Sequence, residues 1–195
     1  MRDRRAAIRT GFGLPENAKV ILAVAKMSPR ESPWDLLRAL AHAPRADWWT
    51  LVVGDGAERP ELEAFVHDRQ LANVRFAGYL PYADLVSAYV GADLFVHAAS
   101  NEPWGVSVHE AIACGLPVIA SDRVGAARDL IRPGRNGFVY ASGDARELAA
   151  RLAQILDAPD AAALLAANCE VLAEWNHEQS WSGIVDACRQ RPPAP

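Results

Sequence analysis

The sequence predicts an α/β domain built as a doubly wound parallel sheet. Three observations carry that prediction. Short apolar runs alternate with helical patterns along nearly the whole chain. Several of those runs are continuously apolar rather than alternating, as strands buried on both faces are. The chain has 195 residues, 51% hydrophobic and 23% charged, which is the length of one domain and the balance of a globular core, and excludes a disordered chain.

The elements follow in order. Val20-Ile21-Leu22-Ala23-Val24 reads as the first strand. A helix over about 33–42 follows, with Pro33 in its first turn, where the missing N–H costs nothing. A second strand over 49–53 ends in Gly54-Asp55-Gly56 and leads to a helix over 60–69. Strands are expected at 74–77, 93–97, 117–120 and 137–140, with helices between them at 82–90, 106–114 and 126–131. The remainder reads as three helices, 144–156, 161–175 and 179–189. The proline-rich tail 191–195 does not suit a helix.

Composition removes several function classes. A formal net charge of −4 disfavours binding to nucleic acid or anionic membrane through bulk charge. No apolar run approaches the ~18 residues that cross a bilayer. The charged start Met1-Arg2-Asp3-Arg4-Arg5 has no apolar stretch behind it and is not a secretory signal. Cys114, Cys169 and Cys188 are scattered and odd in number, which fits reduced thiols in a cytosolic protein. His42, His67, His97, His109 and His177 form no ligand cluster, so no metal site is expected.

In a doubly wound sheet, ligands sit beyond the carboxyl ends of the strands, at the point where the strand order reverses. The informative loops are therefore those that follow strands. After the first strand come Lys26 and Arg30, a cation pair where a diphosphate would rest on a helix N-terminus; solvated surface cations are the competing reading. Gly54-Asp55-Gly56 supplies a sharp turn after the second strand. No GxGxxG fingerprint or P-loop is present, which argues against NAD dehydrogenases and P-loop NTPases.

The strongest segment runs from the fourth strand into a helix: Ser100-Asn101-Glu102-Pro103-Trp104-Gly105-Val106-Ser107-Val108-His109-Glu110-Ala111. Glu102 stands at the strand exit, where it either reads a ligand or caps the helix. Gly105 leaves the helix N-terminus open to an anion or a sugar hydroxyl. Glu110 falls about one turn further on, and a carboxylate accepts hydrogen bonds from two adjacent hydroxyls. Its neighbours Val108, Ala111 and Ile112 are apolar, so Glu110 needs a partner. His97 and His109 lie close by and read as structural histidines, and Trp34, Trp48 and Trp49 as packing residues.

At Glu102 through Asp122 the sequence resembles the E-x7-E signature of family 4 retaining glycosyltransferases of the GT-B fold. The flanks agree in order: Val53-Gly54-Asp55-Gly56 with Glu61-Leu62, Asn73-Val74-Arg75-Phe76-Ala77-Gly78-Tyr79-Leu80, and Asn136-Gly137-Phe138-Val139-Tyr140 with Gly143-Asp144. The resemblance implies a Rossmann-like domain forming the C-terminal, donor-binding half of such an enzyme. It implies that Glu102 meets hydroxyls of the donor sugar and that Trp104, Gly105 and Val106 offer backbone N–H groups. It places Glu110 on the ribose hydroxyls, Lys26 on the diphosphate, Gly54 in the donor-side turn, and Gly78, Tyr79 and Leu80 along the base. The donor would be a UDP- or GDP-type nucleotide sugar, used without metal or other cofactor.

Two departures qualify this expectation. Glu31 stands where the family usually has a second clamp lysine, so that Arg30 substitutes or the clamp is weakened. The resemblance also covers only one half of a two-domain enzyme. The residues divide into a core over 10–175, a helix over 176–190 that crosses to the first half in the family, and the tail 191–195. The apolar face of that helix, with Trp181, Ile184 and Val185, either lacks support or packs on its own domain. The implied partner is an acceptor-binding N-terminal domain, in the same or a separate chain. The isolated domain is expected to be inactive, and cytoplasmic, or peripheral at the inner membrane through the missing half. A non-catalytic nucleotide-sugar-binding module is the alternative, and an epimerase relative has the least support.

Overall fold

Six strands, β1 (Lys19–Val24), β2 (Trp48–Val53), β3 (Val74–Gly78), β4 (Leu94–His97), β5 (Val118–Ser121) and β6 (Gly137–Tyr140), form one sheet in the order β3-β2-β1-β4-β5-β6. Every pairing of these strands is parallel. The chain winds outward from β1 to β3, then crosses back to β4 and winds the other way, so the reversal lies between β1 and β4. The computed structural model describes residues 2–31, 33–157 and 161–189. The tail 191–195 and the side chain of Ile184 lie outside them.

The alternation of side chains along each strand sorts the core into two halves. Val20, Leu22, Leu51, Val53, Phe95 and Val118 point to one face, where they meet α4 (Tyr82–Gly91), α5 (Val106–Ala113), α6 (Gly125–Leu130) and α8 (Ala161–Glu174). Ile21, Ala23, Val52, Leu94, Val96 and Ile119 point to the other, against α2 (Trp34–His42), α3 (Arg59–Asp68) and α7 (Ala145–Asp157). This explains why the strands are apolar at consecutive positions: both faces are covered. The expected sheet and helices are all present, with ends shifted by a residue or two.

One element was not expected. Residues Arg2–Gly11 form a helix, α1, beside α4. Half-buried Ile8 lies against Gly91, and an ionic cluster completes the attachment. Arg9 is 5% exposed; its Nη2 donates to Asp93 Oδ2 at 2.7 Å, its Nε to the Gly91 carbonyl at 2.9 Å and its Nη1 to the carbonyls of Glu16 and Ala18. Asp93 also accepts from Arg5 at 2.6 Å and from the Val20 N–H at 2.7 Å. Burial pulls the Arg9 guanidinium below its ordinary value, and Asp93 opposes that pull.

The last helix, α9 (His177–Arg189), leaves Trp181 68% exposed, whereas Val185 is half-buried. Trp48 is buried, Trp49 packs on the core, and Trp34 meets Phe65 edge-on at 5.6 Å, as packing roles require.

Candidate functional site

The loops that follow β1 and β4 face each other at the reversal point. The Ser100 N–H donates to the Arg30 carbonyl at 2.7 Å, and the Ser100 hydroxyl lies 3.2 Å from the same oxygen. Lys26 is exposed and makes no ion pair among the described residues. Met27, next to it, is fully buried, so the chain is pinned while the Lys26 side chain is free. Arg30 is exposed and lies 3.7 Å from Glu31. The Glu31 carboxylate, at the position where a clamp lysine was expected, is therefore opposed by its own neighbour.

The β4–α5 loop is built tightly. His97, 4% exposed, ends β4 with its ring edge against Gly105. Gly105 has φ +96°, and a Cβ there would stand 2.9 Å from Val124 Cγ1 and 3.2 Å from His97 Nε2. Only glycine suits both the backbone and the space. Burial lowers the His97 pKa, with the Glu102 charge pulling the other way.

Glu102 is half-buried, and its Oε1 accepts the Trp104 N–H at 3.1 Å. It thus closes its own loop rather than capping the helix, which the competing reading had expected, and the Trp104 N–H is already used. Its Oε2 has no hydrogen-bond partner among the described residues. The Glu102 backbone is held by the β5–α6 loop, through its N–H to the Arg123 carbonyl at 3.1 Å and the Gly125 N–H to its own carbonyl at 2.9 Å. The Trp104 indole lies 5.6 Å from that of Trp175, at the end of α8. Helix α5 opens at Val106, 64% exposed, with Gly105 as its N-cap and no side-chain cap. The N–H groups of Val106 and Ser107 have no hydrogen-bond partner among the described residues, while that of Val108 is bonded to the Gly105 carbonyl, and such free N–H groups suit an anion.

Glu110 lies on the face of α5 that meets α4. The Tyr89 hydroxyl donates to Glu110 Oε2 at 2.8 Å, and this is the partner that the apolar surroundings called for. The loop between β3 and α4 carries Gly78, Tyr79 and Leu80. Tyr79 is 79% exposed, Leu80 packs on the core, and the Gly78 carbonyl accepts the Gly54 N–H at 2.8 Å. The structure therefore brings Lys26, Arg30, Glu102, Gly105 and Val106 to one rim and places Glu110 between α5 and α4. Gly54 joins the neighbouring loops together.

One cleft of about 880 Å³ is lined by Val86, Tyr89, Val90, Leu116 and Leu156, and another of about 230 Å³ lies beside Pro44, Gln70 and Asn73. Among the described residues, no group of three or more His, Cys, Asp or Glu side chains is placed to hold a metal ion, and no helix is long and apolar enough to cross a membrane. Cys114 and Cys169 are free thiols.

Two contributors carried no sequence signal that isolates them. Tyr89 looks like another apolar residue of α4. Asp35, 7% exposed in the first turn of α2, accepts from the Tyr140 hydroxyl at 3.1 Å and the Gly143 N–H at 2.7 Å, and fixes α2 below the Lys26 loop.

Residues 4–170 match the family described as Glycosyl transferases group 1. A D-inositol 3-phosphate glycosyltransferase of Thermobispora bispora is 36% identical, over 84% of this chain and 41% of its own length. A GDP-mannose-dependent monoacylated alpha-(1-6)-phosphatidylinositol monomannoside mannosyltransferase of Corynebacterium glutamicum is 30% identical, over 97% of this chain and 52% of its own. Among solved structures, Anabaena Alr3699/HepE in complex with UDP and glucose superposes with a TM-score of 0.84 at 26% identity, over 97% of this chain and 52% of that one. The chain spans about half the length of these relatives.

Proposed function

Because the chain belongs to the glycosyl transferases group 1 family, we propose that it is the C-terminal, donor-binding half of a retaining glycosyltransferase, taking a UDP- or GDP-linked sugar. The observation that carries this reading is the meeting of the Lys26 loop with the Glu102–Val106 loop at the reversal point of the sheet, tied by the Ser100-to-Arg30 bond at 2.7 Å. Lys26 and the N-terminus of α5 face the diphosphate, whose negative charge grows as its bond to the sugar breaks. The free oxygen of Glu102 receives a sugar hydroxyl, and Glu110 receives the ribose. Gly78, Tyr79 and Leu80 lie along the base. The solved HepE structure with UDP and glucose supports a nucleotide-sugar ligand for this fold.

The span of the chain, about half that of its relatives, fits a half-site completed by a second, acceptor-binding domain. The finer claims, retention of configuration and independence of metal, follow the same family reading. A non-catalytic binding module is the second reading, favoured by Glu31 at the clamp position.

The test is to incubate the chain with UDP- and GDP-sugars, with and without sugar or lipid acceptors, while measuring nucleotide binding and nucleoside diphosphate release. Binding without release is expected. Failure of every nucleotide sugar to bind contradicts the donor-site reading, and turnover by this chain alone contradicts the half-enzyme reading.

A further inference from the structure

We propose that Tyr89 is a positioning residue of the nucleotide site, holding the Glu110 carboxylate in the one orientation that presents its free oxygen to ligand hydroxyls. The inference rests on the reading of Glu110 as the ribose-binding carboxylate, and it adds a residue that lies outside the E-x7-E segment.

The geometry is specific. Tyr89 is 2% exposed, and its ring is fixed against Phe95, with centroids 5.7 Å apart. Its hydroxyl is 2.8 Å from Glu110 Oε2 and 3.5 Å from the Ser107 carbonyl. A phenol has one proton to give, and the shorter contact is to the carboxylate. Burial pushes the Tyr89 pKa up and the Glu110 charge pushes it further, so the hydroxyl stays protonated and keeps its donor role.

What this does to Glu110 follows from its place. A glutamate on a helix has three side-chain torsions to freeze when it grips a ligand, and that ordering weakens binding. A donor that is itself buried and ring-packed freezes them beforehand. Glu110 Oε2 is then committed to the phenol, and Oε1 has no hydrogen-bond partner among the described residues. Val108, Ala111 and Ile112 of the same helix are buried apolar residues, so the bond to Tyr89 also offsets the cost of seating a charge there.

Tyr89→Phe deletes one oxygen and keeps the ring. The full chain and this variant are titrated calorimetrically with UDP and GDP, each beside its 2′,3′-dideoxy form, and Glu110→Ala is run in parallel. Thermal melts report whether each variant is folded. Tyr89→Met, which fills the space without a donor, serves as the second variant. The variants are expected to weaken binding of the preferred nucleotide by about tenfold, the size of a hydrogen bond to a charged group. They should leave the dideoxy form unchanged, because it has no hydroxyls for Glu110 to receive. Unchanged binding in both Tyr89 variants, with binding lost in Glu110→Ala, overturns the positioning role and leaves the site reading intact. Equal weakening of the normal and dideoxy forms also overturns it, since that is what a general loosening of the fold produces. If Glu110→Ala binds like the original chain, or no nucleotide binds at all, the ribose reading fails and this inference fails with it.

Discussion

Gly125, at the start of α6, touches the Pro103 carbonyl so closely that a Cβ added to it would stand 2.0 Å from the oxygen and 2.9 Å from the carbon. The atoms it meets are backbone, which no rotamer change can move. This contact presses the β5–α6 loop against the loop that carries Glu102. Gly125→Ala must therefore displace one of the two loops. The expected cost is about 1–3 kcal/mol, that of overpacking a tight site, with loss of nucleotide binding. Denaturant unfolding and titration of the variant check both; full affinity in the variant would show that the loop geometry is not needed.

The Arg9–Asp93 pair makes a second, independent prediction. Arg9 is nearly sealed from water, whereas Arg5, which shares the same carboxylate, has a side chain 39% exposed. Asp93→Ala leaves a buried guanidinium without its counter-charge and should destabilise by about 3 kcal/mol. Arg5→Ala removes a partly exposed pair and should cost about 1 kcal/mol or less. The difference is read from the two denaturation midpoints; equal effects would mean that α1 is not anchored through Arg9.

His97 predicts a pH dependence. Its pKa in the fold lies below the ordinary 6.5 because burial disfavours the charged ring, against the opposing pull of Glu102. As pH falls below about 6.5 the unfolded chain takes up a proton that the folded chain resists. The stability tied to neutral His97 is thus complete above that pH and is lost as pH falls toward the folded value. His97→Gln, which does not titrate, should show a flatter fall in Tm between pH 7 and pH 5 than the original chain. Parallel curves would mean that another group carries the acid sensitivity.

Much of the fold was readable because its cause is local. The run Val20-Ile21-Leu22-Ala23-Val24 is apolar throughout because helices cover both faces, and the spacing of Glu102 and Glu110 is visible as letters. Helix α1 was not readable, because four arginines in its first nine residues look like solvated charge until Asp93, more than eighty positions away, supplies the partner. The need for a partner at Glu110 was legible from its apolar neighbours. That the partner is Tyr89 depends on how α4 packs beside α5, which no spacing records. The bond from the Trp104 N–H to Glu102 was not legible: the sequence offered a helix cap or a ligand contact, and the carboxylate instead closes a turn two residues long ahead of the helix.

The most direct measurement is a crystal structure of the chain with UDP or GDP bound. The nucleotide is predicted to lie across the carboxyl ends of β1 and β4, with its ribose hydroxyls on Glu110 and its diphosphate between Lys26 and the N-terminus of α5. A nucleotide bound in either of the two clefts instead, with Glu110 untouched, would contradict the donor-site account.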